Sequence, residues 1–202
     1  MQTKPMWLRT ALPLLLVLAA AFWWLNVQLA HSRSEHQVQM STITSGLEGK
    51  GPLPLQGPLT IHMPGQGGLS QTIRRGLAAA LGDGPFFTQA NLSDDGASPP
   101  GQPLLLVRVQ ARRGLWTPFF ARATLQVQFA YGSDGQAWWP EEAPHVVNST
   151  GQPQAHVHGE LTTTDVSWGL LPRAAYDRHL GRQAAARLAG QLEQALGKPL
   201  GY

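Results

Sequence analysis

Three polar residues with alternating spacing could bind a metal ion. His156, His158 and Glu160 stand at positions i, i+2 and i+4, and on a β-strand this spacing directs all three side chains to one face. Two imidazoles and a carboxylate can bind Zn²⁺ or another divalent ion. The alternative is a solvent-facing strand, since alternate positions are polar along every predicted strand. Because ligand spacing alone matches many unrelated strands, we expect no cofactor and keep a membrane-tethered metal-dependent enzyme as the second hypothesis.

A second group of residues has the composition of an interaction surface. It lies in the connection between the two strands with the clearest alternation of apolar and polar residues. The candidate contact residues for a partner or a membrane are Arg112, Arg113, Leu115, Trp116, Phe119 and Phe120. Aromatic and arginine side chains are frequent hot spots of interfaces and also suit a membrane surface. The alternative is that the aromatic residues fold back over the core. Trp168 is a weaker second candidate, for which core packing is favoured.

Other patterns of catalytic or phosphate-binding sites are incomplete. Residues Gly65 to Ser70 form a glycine-rich turn between a predicted strand and a predicted helix, where backbone N–H groups could hold a phosphate. Ser70 stands where a dinucleotide fingerprint has its third glycine, so we predict a tight turn with Ser70 as the helix N-cap. No Gly-x-Ser-x-Gly motif occurs, and the chain has no Cys. We therefore predict no catalytic residues and a protein that is not an enzyme.

The order of the predicted helices and strands that position these residues indicates an α+β domain over residues 57–202. Alternating or periodic apolar residues predict strands at 59–63, 105–112, 121–131 and 154–165, and helices at 70–81 and 173–196. A loop rich in Ser, Asp, Gly and Pro is predicted at 91–103. The order β-α-β-β-β-α predicts two helices packed on one face of a mainly antiparallel sheet.

An apolar run near the N-terminus predicts a membrane anchor over residues 1–30. The run from Thr10 to Ala30 has about the 20 residues that cross a bilayer core, with Trp residues near both ends, as at membrane interfaces. A signal peptide cleaved near Ala19–Ala21 is the alternative. The following residues, 31–56, are polar and end in a Gly/Pro cluster, which predicts a flexible tether.

The distribution of charge along the chain predicts the orientation of the anchor in the membrane and does not indicate a nucleic-acid partner. The net charge is +3 and the isoelectric point is about 9.7, but Lys4 and Arg9 precede the apolar run and the rest of the chain is almost neutral. Nucleic-acid binders concentrate Lys and Arg on one face, so nucleic acid is excluded as a partner. The positive-inside rule predicts a single-pass signal-anchor protein of the inner membrane, with a cytoplasmic N-terminus and a periplasmic or extracellular domain.

The pattern of elements resembles small α+β proteins of the Gram-negative envelope. The residues that carry the resemblance are the helix QTIRRGLAAALGDG followed by Phe-Phe, the strand ARATLQVQFAYGSDG and the long Ala/Leu-rich final helix. The families are the lipopolysaccharide-assembly lipoprotein, the N-terminal domain of the Tol-system propeller protein and the auxiliary lipoproteins of ABC-type transporters. This chain lacks the Cys that such lipoproteins acylate.

The resemblance and the anchor together give the functional expectation. The resemblance implies a non-enzymatic assembly or scaffolding role in the periplasm. We therefore expect a membrane-anchored, extracytoplasmic binding or scaffolding module that serves as an accessory subunit of an envelope or membrane complex. Its expected partners are the lipid bilayer, through residues 10–30, and other envelope or membrane proteins.

Overall fold

The computed structural model describes residues 13–21, 31–45, 57–65, 67–139, 141, 154–169 and 172–197. The strands are β1 (His31–Ser45), β2 (Leu59–His62), β3 (Ala90–Ser93), β4 (Leu104–Trp116), β5 (Phe120–Gly132) and β6 (Gln154–Trp168). The helices are α1 (13–21), α2 (Gly68–Gly82) and α3 (Arg173–Gly197). The strands form one sheet in the order β1-β6-β5-β4-β2-β3. Because β2 runs parallel to both β3 and β4 while the other pairs are antiparallel, the sheet is mixed.

One face of the sheet is packed against α2 and α3, and the other face carries mainly polar side chains. In β5, Leu125 and Val127 are fully buried, whereas Arg122 on the opposite face is exposed. Such alternation is expected of a strand with one face on the core and one towards solvent. The apolar positions of α3 recur about every four residues and are buried along its length, as at Leu180 and Leu188. The chain is therefore an α+β domain with both of these helices on one face.

Small residues allow α2 and α3 to approach each other closely. A Cβ atom on Gly76 of α2 would lie 2.8 Å from the Cβ of Ala185 on α3. In the other direction, a Cβ on Gly181 of α3 would lie 2.9 Å from the Cβ of Thr72 on α2. Both distances are below normal van der Waals contact, so the two helices fit together only because these positions carry no side chain.

The predicted N-terminal membrane anchor is corrected. Within the part of the chain that the structure describes, no helix is long and apolar enough to cross a membrane. Of the predicted span 10–30, the described helix α1 covers only residues 13–21, about half of the length that a bilayer core requires; the remainder lies outside the described residues. This finding overturns the membrane-spanning helix of the predicted fold, the single-pass and signal-anchor assignments, and the inner-membrane localisation.

The predicted tether differs from the structure over its first part. Residues 31–45 form β1, which pairs antiparallel with β6 from His31 opposite Trp168 to Ser45 opposite Gln154. The sequence here is polar, and the strand forms because β6 presents a complete row of backbone partners to it. Residues 46–56 lie outside the described residues.

Two smaller differences arise near α2. The helix begins at Gly68 after the N-cap residue Gly67, and no side chain caps it, so Ser70 lies inside the helix and is not the cap. The segment predicted as a loop begins with strand β3, which pairs with β2 through backbone hydrogen bonds. Backbone pairing does not depend on side-chain pattern, and a strand of four residues carries too little alternation to be recognised from sequence.

Candidate functional site

The predicted metal-binding residues share a face but do not form a metal site. His156, His158 and Glu160 of β6 pair in register with β5 residues of the sheet face that is not covered by α2 and α3. No group of three His, Cys, Asp or Glu side chains that could hold a metal ion occurs among the described residues. The prediction that these three side chains lie on one face of a strand is confirmed. A shared face does not by itself place the three side chains close enough to bind one metal ion.

His156 is buried and packs against an indole ring. Its side chain is nearly inaccessible, and its ring lies 4.4 Å from the ring of Trp138, measured between centroids. Neither ring nitrogen has a hydrogen-bond partner among the described residues, and the nearest carboxylate oxygen, of Asp134, is 3.8 Å from Nε2. Burial lowers the pKa of His156 below its usual value, and Asp134 opposes this only in part. A neutral imidazole packed against an indole is the expected state.

A β-bulge in β4 determines the position of Arg112. Val109 pairs with Val127, but Ala111 pairs with Gln126, so Gln110 is an extra residue in β4. A one-residue shift moves every later side chain to the opposite face of the sheet. Arg112 therefore lies on the helix-covered face, and its guanidinium forms an ion pair with Asp177 of α3 at 2.5 Å. The alternation in the sequence had placed Arg112 on the polar face.

The end of the β4–β5 hairpin is a tight, hydrogen-bonded turn. The backbone N–H of Thr117 donates to the carbonyl of Phe120 at 2.8 Å, and the N–H of Phe120 donates to the Thr117 hydroxyl at 2.9 Å. The N–H of Gly169, at the end of β6, donates to the carbonyl of Phe119 at 3.0 Å. The turn is therefore fixed at both ends and against the neighbouring strand.

This turn holds a group of exposed apolar side chains, which we call the apolar tip: Leu115, Phe119, Phe120 and Trp168. Phe119 is 64% exposed, Trp168 61% and Leu115 59%. The rings of Phe120 and Trp168 are 4.6 Å apart between centroids, because the two residues are directly opposite each other in β5 and β6. Phe120 and Trp168 are thus in contact, and Leu115 and Phe119 are exposed at the same end of the β4–β5 hairpin. The preference for Trp168 as a core residue is wrong, since this side chain is exposed.

The residues predicted to contact a partner are divided by the structure between two faces. Leu115, Phe119 and Phe120 belong to the apolar tip. Trp116 lies on the helix-covered face, opposite Ala121, and packs against the hydrophobic core. Arg113 is exposed, while Arg112 is engaged with α3. The division follows from the bulge and the alternation after it, which a single sequence does not reveal.

Between the hairpin and the start of α3 lies a cavity of about 340 Å³, which we call the arginine cavity. Its characteristic lining residues are Arg112, Arg122, Arg173, Trp116 and Tyr176. Sequence reasoning missed this site, because Arg173 and Tyr176 are at least fifty positions in the chain from the hairpin residues that line it. The one available signal is the Arg112–Arg113 pair, which interrupts the strand alternation at the place where the bulge occurs.

A buried polar group lies beneath α3 next to this cavity. Asp165 of β6 is fully buried; it accepts a hydrogen bond from the Ser167 hydroxyl at 2.9 Å and is 3.3 Å from His179 Nε2. The Tyr176 hydroxyl donates to the Asp165 backbone carbonyl at 3.4 Å. Burial and the nearby carboxylate raise the pKa of Tyr176, so its phenol stays neutral.

Comparisons with known proteins give little further information. No protein-family model matches the chain, and no curated protein matches it. Among solved structures, a dodecamer of a PelC variant from Paraburkholderia phytofirmans is 10% identical, with 77% of this chain and 98% of that chain covered, at a TM-score of 0.34. A second PelC dodecamer from the same organism is 11% identical, with 74% and 96% covered, also at 0.34. Scores this low carry neither a fold nor a function to this chain.

Proposed function

We propose that this protein is a binding or scaffolding module, an accessory subunit of a larger protein assembly, and that it contacts a partner protein through the apolar tip. The observation that carries the proposal is the exposure of Leu115, Phe119 and Trp168 at the same end of the sheet. Contiguous exposed apolar side chains on a domain with a well-formed core are typical of interaction sites. The resemblance of the element order to envelope-assembly proteins supports the same role.

The surroundings of the apolar tip favour a protein partner. The exposed guanidinium groups of Arg113 and Arg122 lie on the same sheet face as Leu115. Aromatic side chains flanked by arginine are the usual composition of interface hot spots. The adjoining centre of this face carries hydroxyl groups, as in the pair Thr124 and Thr164, whose oxygens are 3.3 Å apart. A partner protein can supply hydrogen bonds to this polar area as well as apolar contact to the tip.

The proposal is tested by photo-crosslinking in cells that make the protein natively. A photoreactive phenylalanine analogue replaces Phe119 in one variant and Leu92 in a matched control. Leu92 is also an exposed apolar residue, at 41%, but it lies in the edge strand β3, which β2 separates from β4, whereas the tip residues belong to β4, β5 and β6 and the turn between β4 and β5. We expect a discrete product containing one partner protein from position 119 and no such product from position 92.

The identified partner then allows the surface to be tested quantitatively with purified proteins. Phe119→Ser and Trp168→Ser should each weaken binding about tenfold or more, as truncation of a hot spot does, while Leu92→Ser should not. Because the side chains are exposed, the thermal unfolding of all three variants should stay close to that of the unmodified protein. Equal crosslinking from positions 92 and 119, or unchanged affinity in both tip variants, would contradict the proposal.

A further inference from the structure

The arginine cavity has an excess of positive charge. Three arginine residues line it, Arg112, Arg122 and Arg173, but Arg122 pairs with Leu115, so its side chain belongs to the sheet face that α2 and α3 do not cover. Only Arg112 is neutralised by an ion pair, with Asp177. Within the part of the chain that the structure describes, Arg122 and Arg173 make no ion pair. The guanidinium of Arg173, at the start of α3, is therefore available to an anion in the cavity, beside the paired Arg112.

Two aromatic residues, Trp116 and Tyr176, also line this cavity, together with the small residue Ala123. The Tyr176 hydroxyl is already engaged by the Asp165 carbonyl, so it is not free to bind a ligand. The bulge at Gln110 creates this arrangement, because it turns both Arg112 and Trp116 towards α3.

We propose that the arginine cavity binds a small organic anion, in which a carboxylate or phosphate group is attached to a flat apolar ring. Guanidinium groups form paired hydrogen bonds with carboxylates and phosphates, and aromatic side chains stack on flat rings. A volume of about 340 Å³ is near the lower limit for ligand sites, which favours one ring over a dinucleotide. The inference can be tested separately from the protein-binding role, because Phe119, Phe120 and Trp168 of the apolar tip do not line the cavity, although Leu115 does.

Ligand titrations monitored by nuclear magnetic resonance test this inference with the full chain. The probes are benzoate and phenyl phosphate, with benzamide as the neutral isostere of benzoate and inorganic phosphate as the anion without a ring. The indole N–H signal of Trp116, assigned with a Trp116→Phe variant, reports binding in the cavity. For ligands of this size we expect a dissociation constant on the order of 1 mM for the two aromatic anions, and markedly weaker binding of benzamide and inorganic phosphate.

Two matched arginine substitutions locate the anion. Arg173→Gln removes a guanidinium from the cavity, and Arg187→Gln makes the same change at another exposed position of α3. We expect Arg173→Gln to weaken benzoate binding about tenfold, the usual effect of losing a charged hydrogen bond, and Arg187→Gln to leave it unchanged.

Four outcomes of these titrations would overturn the inference. The inference is overturned if benzamide binds as tightly as benzoate, if inorganic phosphate binds as tightly as phenyl phosphate, or if both arginine variants behave alike. Absence of any shift at Trp116 with either aromatic anion also overturns it. These outcomes do not bear on the crosslinking experiment, because its probe position, Phe119, does not line the cavity.

Discussion

At the scale of single residues, the buried tyrosine hydroxyl groups differ in whether they have a hydrogen-bond partner. The hydroxyl of Tyr131 is buried and has no hydrogen-bond partner among the described residues, whereas the hydroxyl of Tyr176 donates to a backbone carbonyl. A buried polar group without a partner costs free energy, and one with a partner contributes about 1 kcal/mol. Two chemically identical substitutions should therefore have opposite effects.

We expect Tyr131→Phe to leave the free energy of unfolding unchanged or to raise it by about 1 kcal/mol, because it removes an unsatisfied group while keeping the ring that packs on Phe87. Tyr176→Phe should lower it by about 1 kcal/mol. Urea unfolding of both variants measures the difference. A larger loss in Tyr131→Phe than in Tyr176→Phe would contradict the assignment of these two hydroxyl groups.

Acid should destabilise the protein through His156. Burial lowers the pKa of this residue in the folded state below its unfolded value of about 6.5. Above that pH the imidazole of His156 is neutral in both the folded and the unfolded state, so its protonation does not reduce the free energy of unfolding. Below it the unfolded state takes up a proton that the folded state resists, so stability is lost, by at most about 1.4 kcal/mol per pH unit.

The comparison of unmodified protein with His156→Phe isolates this effect. Phenylalanine keeps a ring against Trp138 but cannot take up a proton. The free energy of unfolding of the variant should therefore fall less between pH 7 and pH 5 than that of the unmodified protein. Urea unfolding across that range measures both slopes. Identical slopes would show that His156 does not contribute to the acid sensitivity.

At the scale of elements, the packing of α2 on α3 depends on positions without side chains. Gly76→Ala places a methyl group 2.8 Å from the Cβ of Ala185, and we expect a loss of about 1–3 kcal/mol in stability from this overpacking. Gly190→Ala is the control, since a Cβ at Gly190 of α3 would meet no atom within 4 Å. It should raise stability by about 0.5–1 kcal/mol through helix propensity.

The two glycine variants are compared by chemical denaturation under the same conditions. Opposite signs are expected, because one methyl group enters a closed helix contact and the other enters solvent. If Gly76→Ala were as stable as the unmodified protein, the helices would have room to separate, and their close approach would not be a requirement of the fold.

At the scale of the whole molecule, β1 completes the sheet and protects β6. It pairs with β6 along the full length of both strands, so its removal would leave a long strand with unpaired backbone groups at the sheet edge. A chain beginning at residue 46 should unfold about 10 °C lower, which corresponds to a few kcal/mol, and should self-associate. A chain beginning at residue 31 is the matched control.

Thermal unfolding and analytical ultracentrifugation distinguish the two truncated chains. The chain beginning at residue 31 should remain close to the full chain, because the described residues that it lacks, 13–21, are exposed along their whole length. Equal stability of both truncated chains would show that β1 contributes nothing to the domain, as expected of a tether.

The sequence by itself determined the elements whose residues alternate or recur at a fixed period. The two helices, the pairing of β4 with β5 and the shared face of His156, His158 and Glu160 could all be predicted, because burial of one face imposes a local pattern. The two short parallel strands β2 and β3 illustrate the limit, since only the first was predicted.

Only the tertiary structure decided the features that depend on contacts between residues distant in the chain. A polar segment became β1 because β6 offered it backbone partners. Among the described residues, no helix is long and apolar enough to be the predicted membrane anchor. The bulge at Gln110 turned Arg112 and Trp116 to the helix-covered face, opposite to Leu115 and Phe120, so the single predicted surface became two. Backbone pairing and one inserted residue leave almost no trace in side-chain periodicity, yet they fix which side chains meet.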